Sequence, residues 1–104
     1  MCWRESEANA LGNIGLIYQD RGELDKALSY HEQSLKIKRE IGDRQEEASV
    51  LGNIGLIYKA WGELDKALEY QEEALKVCTA AGYREGVATA RLNMGSIFVG
   101  KKDW

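Results

Sequence analysis

The side chains here that could do chemistry are few, and their spacing decides what they can do. His31 is the single histidine among 104 residues, and Ser34 follows three positions later, so an imidazole could in principle serve a hydroxyl as base. No activating carboxylate accompanies the pair, and a second copy of the same segment carries Gln71 and Ala74 in their place. His31 therefore reads as a packed helix residue. The adjacent acids Glu46–Glu47 and Glu72–Glu73 read as solvated faces rather than acid/base dyads. Two cysteines, Cys2 and Cys78, are too few and too distant for a disulfide framework or a paired-ligand metal site, and no phosphate-cradling loop is present. The expectation is no catalytic residue, no metal and no cofactor. What does recur is asparagine: Asn13, Asn53 and Asn93 stand 40 residues apart. A carboxamide offers both donors and an acceptor, so such a row could pair with the amides of an extended peptide; equally, each could bond a neighbouring helix.

Composition narrows the elements that must position these groups. Fourteen basic and 17 acidic residues leave a net charge of −3. That mild acidity argues against nucleic acid, whose phosphates need a basic face. With 44% apolar and 30% charged residues, the chain is expected to form one small domain spanning 1–104. No run approaches the roughly 18–20 apolar residues of a membrane span, and the N-terminus lacks the basic and apolar regions of a signal peptide. No membrane association and a cytoplasmic, reducing setting are expected. Proline is absent while glycine numbers 11, a balance that suggests helices stopped by glycine.

An internal repeat then organises the chain. Leu11–Tyr18 recurs letter for letter at Leu51–Tyr58, and Gly22–Leu28 returns at Gly62–Leu68. Across 8–47 and 48–87, 22 of 40 positions are identical, and a weaker third copy begins near 88 with Asn93, Gly95 and Phe98 retained. Within a copy the apolar spacing is helical: Ala10, Leu11, Ile14, Ile17 and Tyr18 mark one buried face, and Leu24, Ala27, Leu28, His31 and Leu35 a second. Gly22 and Gly42 fit helix C-terminal stops. Asp43 stands where an N-cap is wanted, with Glu46 placed to complete a capping box. Asp25 and Asp65 suit the positive end of a helix dipole. Glu32–Lys36 and Glu72–Lys76 lie one turn apart in the favourable order, worth about 0.2–0.5 kcal/mol per pair. The spacing predicts five helices near 6–21, 24–41, 44–61, 64–81 and 84–100.

At these positions the chain resembles the tetratricopeptide repeat family, whose signature is W-x₂-L-G-x₂-Y followed by A-x₃-F and a proline. Leu11, Ile14, Gly15, Tyr18, Ala27 and His31 occupy those places in the first copy; Leu51, Ile54, Gly55, Tyr58, Ala67 and Gln71 in the second; Arg91, Met94, Gly95 and Phe98 in the third. The closing proline is missing and the period is 40 rather than 34, as in the longer repeats of Partner-of-Inscuteable proteins, kinesin light chains and many prokaryotic regulators. The third copy departs further, with Lys102 where Gly22 and Gly62 stand. The resemblance implies an all-α, right-handed superhelix of about two and a half helical hairpins, with repeats near 8–47, 48–87 and 88–104. It also implies a protein-interaction scaffold rather than an enzyme, its concave side lined by the first helix of each pair. Gly15, Gly55, Ala27 and Ala67 would let paired helices approach closely. Gly12 and Gly52 cost about 1 kcal/mol each against alanine, and either admit a neighbouring helix or leave room for a ligand.

The stripe that the resemblance assigns to the concave face is Asn9, Asn13, Leu16 and Asp20, repeated as Ser49, Asn53, Leu56 and Ala60 and again as Thr89, Asn93 and Ser96, with Gln19 and Lys59 flanking it. A protein or peptide partner is expected there. Trp61, at a helix corner where the first copy has Arg21, would cover the turn or anchor a partner. Met94, Ile97 and Phe98 lie on a last helix with no pair, so they would leave apolar area for an oligomer contact. A piece of a longer repeat array would show the same pattern.

Overall fold

The computed structural model describes residues 3–101. Five helices follow one another: α1 (Trp3–Asp20), α2 (Leu24–Ile41), α3 (Arg44–Ala60), α4 (Leu64–Ala81) and α5 (Arg84–Lys101). Among the described residues there is no strand. The predicted boundaries differ only at the ends: α1 begins three residues earlier than expected, α1 and α3 each stop one residue short of it, and α5 runs one residue further.

All four turns are built alike. Gly22, Gly42, Gly62 and Gly82 adopt φ of +79°, +76°, +79° and +70°, the left-handed region in which a side chain is strained. After α2, the Gly42 amide donates to the Arg39 carbonyl and the Asp43 amide to that of Lys38. These paired bonds form a Schellman motif, and the same pattern recurs after the other three helices. It also corrects the expected capping box. The Asp43 side chain does accept from the Glu46 amide at 3.2 Å, but the Asp43 amide is already committed to Lys38, so Glu46 has no donor to reach back to. Nor do Glu32–Lys36 and Glu72–Lys76 close; their side chains are exposed and water competes for both charges.

Consecutive helices pack on one another, and α3 also touches α5. The result is a slab of 52 × 32 × 17 Å; its middle dimension is close to the roughly 27 Å length of an 18-residue helix. Leu35, Leu51, Ile54, Ala74, Val77 and Cys78 form the centre of the core. Each hairpin closes on a stacked tyrosine pair, Tyr18–Tyr30 at 5.6 Å and Tyr58–Tyr70 at 5.4 Å. Trp61 packs edge-on against Tyr58 and faces the α1–α2 turn across a cleft. No helix among the described residues is long and apolar enough to cross a membrane.

The tight helix crossings follow from small residues. A Cβ on Gly15 would meet the His31 ring at 2.9–3.1 Å, and one on Gly55 would meet Gln71 Nε2 at 2.7 Å and the Ala67 carbonyl at 3.2 Å. Ala27 and Ala67 are wholly buried. Gly12 and Gly52 differ. Their nearest neighbours would be Ser34 Oγ at 3.6 Å and Gln71 Oε1 at 3.7 Å, ordinary contacts that alanine tolerates. Helix packing therefore does not require glycine at either place.

Candidate functional site

The first helices of the pairs share one face of the slab, and two neighbouring hollows open there. The first, about 290 Å³, lies between α1, α2 and the start of α3, and the second, about 240 Å³, between α3, α4 and α5. They adjoin at Ser49 and Asn53, which line both.

Most of the predicted stripe falls on these hollows. Asn9, Asn13 and Leu16 border the first; Leu56, Thr89 and Asn93 border the second. The remainder lies outside them. Gln19 Oε1 accepts from His31 Nε2 at 3.1 Å, Lys59 donates to Ser96 across α3 and α5, and Asp20 lines neither hollow. The asparagine row divides as well. Asn93 Nδ2 donates weakly to Gln71 Oε1 at 3.4 Å, and among the described residues Asn13 and Asn53 have no side-chain hydrogen bond. Asn9 is held by the Lys38 ammonium at 2.7 Å.

The floor comes from the second helices, which the sequence reading did not place at the site. His31, Ser34 and Lys38 of α2 underlie the first hollow; Gln71, Ala74 and Cys78 of α4 underlie the second. Steps of three and four put each trio on one helix face, and all three pairs differ between the copies while the octapeptide above them is identical. That contrast was the available signal.

The two floors have different chemistry. In the first, Ser34 Oγ donates to the Ala8 carbonyl at 2.9 Å, so its proton is committed away from His31, and the pair does not form a base–nucleophile couple. With Nε2 donating to Gln19, His31 Nδ1 is a buried acceptor without a partner. Burial holds this imidazole below its ordinary pKa, because the charged form loses its hydration. Lys38 is only 2% exposed; its ammonium lies 3.5 Å from the Asp43 carboxylate, and Glu46 stands on the same wall. In the second hollow, Gln71 Nε2 donates to the Gly52 carbonyl at 2.9 Å, and burial pushes the Cys78 thiol up, keeping it neutral. Among the described residues no group of three His, Cys, Asp or Glu side chains could hold a metal ion.

The last helix corrects one expectation. Ile97 is wholly buried and Met94 half-buried where α5 packs on α4 and α3, so neither forms an exposed patch. Phe98 is 47% exposed, and the other exposed large apolar residues of α5 are Leu92 and Val99. Lys102 lies outside the described residues.

An all-helical stack of hairpins, hollowed along the face of its first helices, defines a helical-repeat solenoid, the class of fold whose concavity serves as a contact surface. A Tetratricopeptide repeat family model matches residues 6–80, and the chain belongs to that family. Such repeats generally mediate protein–protein interaction. Among solved structures the chain is similar to BtubC (BKLC) from P. vanneervenii, with a TM-score of 0.81 and 25% identity over 92% of this chain. The match covers 39% of that longer protein. No curated protein matches.

Proposed function

We propose that the chain is a protein-interaction scaffold that holds an extended peptide segment of a partner along its hollowed face, with no catalytic role. The observation that carries this reading is the pair Asn13 and Asn53, without a side-chain hydrogen bond among the described residues and one per repeat on the rim of adjoining hollows. Carboxamides without intramolecular partners can exchange paired hydrogen bonds with a peptide amide. The uncharged rim formed by Leu16, Ser49 and Leu56 supplies contact between them. The test is selection of a displayed random peptide library on the protein, followed by Asn53→Ala. The expected outcome is weaker binding of the selected peptide with unchanged melting; unchanged affinity refutes the role of the row.

A second reading, self-association, is favoured by a separate observation. Leu92 and Val99, seven residues apart and so on one face of the last helix, are exposed large apolar side chains, with Phe98 beside Val99, and contiguous apolar surface commonly marks an interface. Light scattering over a range of concentrations tests it: a mass that rises with concentration supports association, and a constant monomer mass refutes it.

A further inference from the structure

The two hollows share part of their wall: Gly12, Asn13 and Leu16 of α1 face the first and Gly52, Asn53 and Leu56 of α3 the second, equivalent places in one repeated octapeptide. What separates them is the floor. Beneath the first lie a buried ammonium, a buried imidazole and a serine hydroxyl; beneath the second lie Ala74, Cys78 and Gln71, whose carboxamide is engaged by the Gly52 carbonyl and Asn93. No Asp, Glu, Lys, Arg or His lines the second hollow. A neutral buried thiol behaves as a small apolar group, and Gly52 and Ala48 add no polar side chain. At about 240 Å³, the hollow is smaller than the roughly 300–1,000 Å³ typical for drug-sized ligands, a size suited to one amino-acid side chain. Asn53 and Asn93 stand on its rim, where the backbone on either side of an inserted side chain would pass. Gly52 completes the case: helix packing leaves room for a methyl there, so the space above it is open toward the hollow.

We infer that the hollow between α3, α4 and α5 is an anchor pocket that takes a single uncharged, apolar side chain of the bound peptide, and that it sets specificity for this position. The inference rests on the peptide-binding reading above and adds which part of the groove selects and what it selects. The polar first hollow takes no such residue, because burying an aliphatic group against Lys38 and Glu46 would strip water from charges without replacing their hydrogen bonds. In the second, apolar surface replaces water at no such cost.

The test uses a peptide selected on the whole chain from a displayed random library. Each of its apolar positions is replaced singly by serine, and affinities are measured for the unaltered protein, for Gly52→Leu, which fills the pocket from its wall, and for Thr89→Trp, which covers its mouth from an exposed position on α5. The expected result is one position at which serine costs about tenfold or more in affinity for the unaltered protein, with that cost abolished in Gly52→Leu and in Thr89→Trp. Peptides that bind without an apolar anchor, or whose anchor cost is the same in both variants, overturn the inference while leaving the groove reading intact. Failure of the library to yield any binder overturns both.

Discussion

Gly12→Ala and Gly15→Ala, one turn apart in α1, should move stability in opposite directions. Each alanine gains about 1 kcal/mol of helix propensity. At position 12 the new methyl would stand 3.6 Å from Ser34 Oγ, an ordinary contact, so about 0.5–1 kcal/mol of net stabilisation should survive. At position 15 it would stand 2.9–3.1 Å from three atoms of the His31 ring. That ring is wholly buried and tethered to Gln19, so it has little freedom to withdraw. Overpacking of this kind costs about 1–3 kcal/mol, which cancels or exceeds the propensity gain. The two variants should therefore differ by about 1–3 kcal/mol, at about 4–8 °C of melting temperature per kcal/mol in a domain of this size. Thermal melts followed by circular dichroism and urea midpoints measure the gap. His31→Ala in each background completes a double-mutant cycle, and it should remove the penalty at 15 while leaving 12 unaffected. If Gly15→Ala stabilises as much as Gly12→Ala, the ring does not fill the crossing and the packing argument is wrong.

Three further outcomes are expected. Because burial holds His31 below its ordinary value of 6.5, the unfolded chain accepts a proton that the folded chain resists. Stability present above about pH 6.5 is then lost as pH falls from there toward the lowered folded value; His31→Gln, copying Gln71, should flatten that slope in urea midpoints, and parallel slopes would contradict it. Asp43→Ala removes both the N-cap bond to Glu46 and the carboxylate beside the buried Lys38 ammonium. It should cost more than the about 1 kcal/mol of a lost cap, and more than Asp43→Ser, which keeps a cap but not the charge; an Asp43→Ser variant as stable as the unaltered protein would show that the ion pair contributes nothing. Gly42→Ala meets no neighbour within 4 Å but must adopt φ near +76°, so chemical denaturation should show a loss of about 1–2 kcal/mol that is purely conformational.

Much of the fold was legible because its determinants are local. Steps of three and four in Ala10–Tyr18 and Leu24–Leu35 announce helical faces, and glycines at a spacing of 20 announce turns that require positive φ. The rim of the site was legible for the same reason, since Asn13, Asn53 and Asn93 follow from helix geometry plus repeat number. Its floor was not. His31, Ser34 and Lys38 belong to the face of α2 that packs back on α1, and from sequence that face looks like core. Only the packing of α3 beside the first hairpin makes it the floor of a hollow. Of the expected patch on α5 only Phe98 is exposed, because Ile97 is buried where α5 packs on α4 and α3, while Leu92 and Val99 stand at the surface.

The sequence by itself determined five helices, their stops and their pairing into a repeated hairpin, because backbone hydrogen bonding and apolar periodicity act within a few residues of one another. Tertiary structure decided what identical letters do. Ile17 and Ile57 occupy the same place in the same octapeptide, yet one is 56% exposed and the other fully buried. The reason is neighbourhood: α2 packs against α3, whereas no described helix precedes α1. By the same logic equivalent octapeptide residues border two hollows of different character, since His31 and Lys38 underlie one and Gln71 and Cys78 the other.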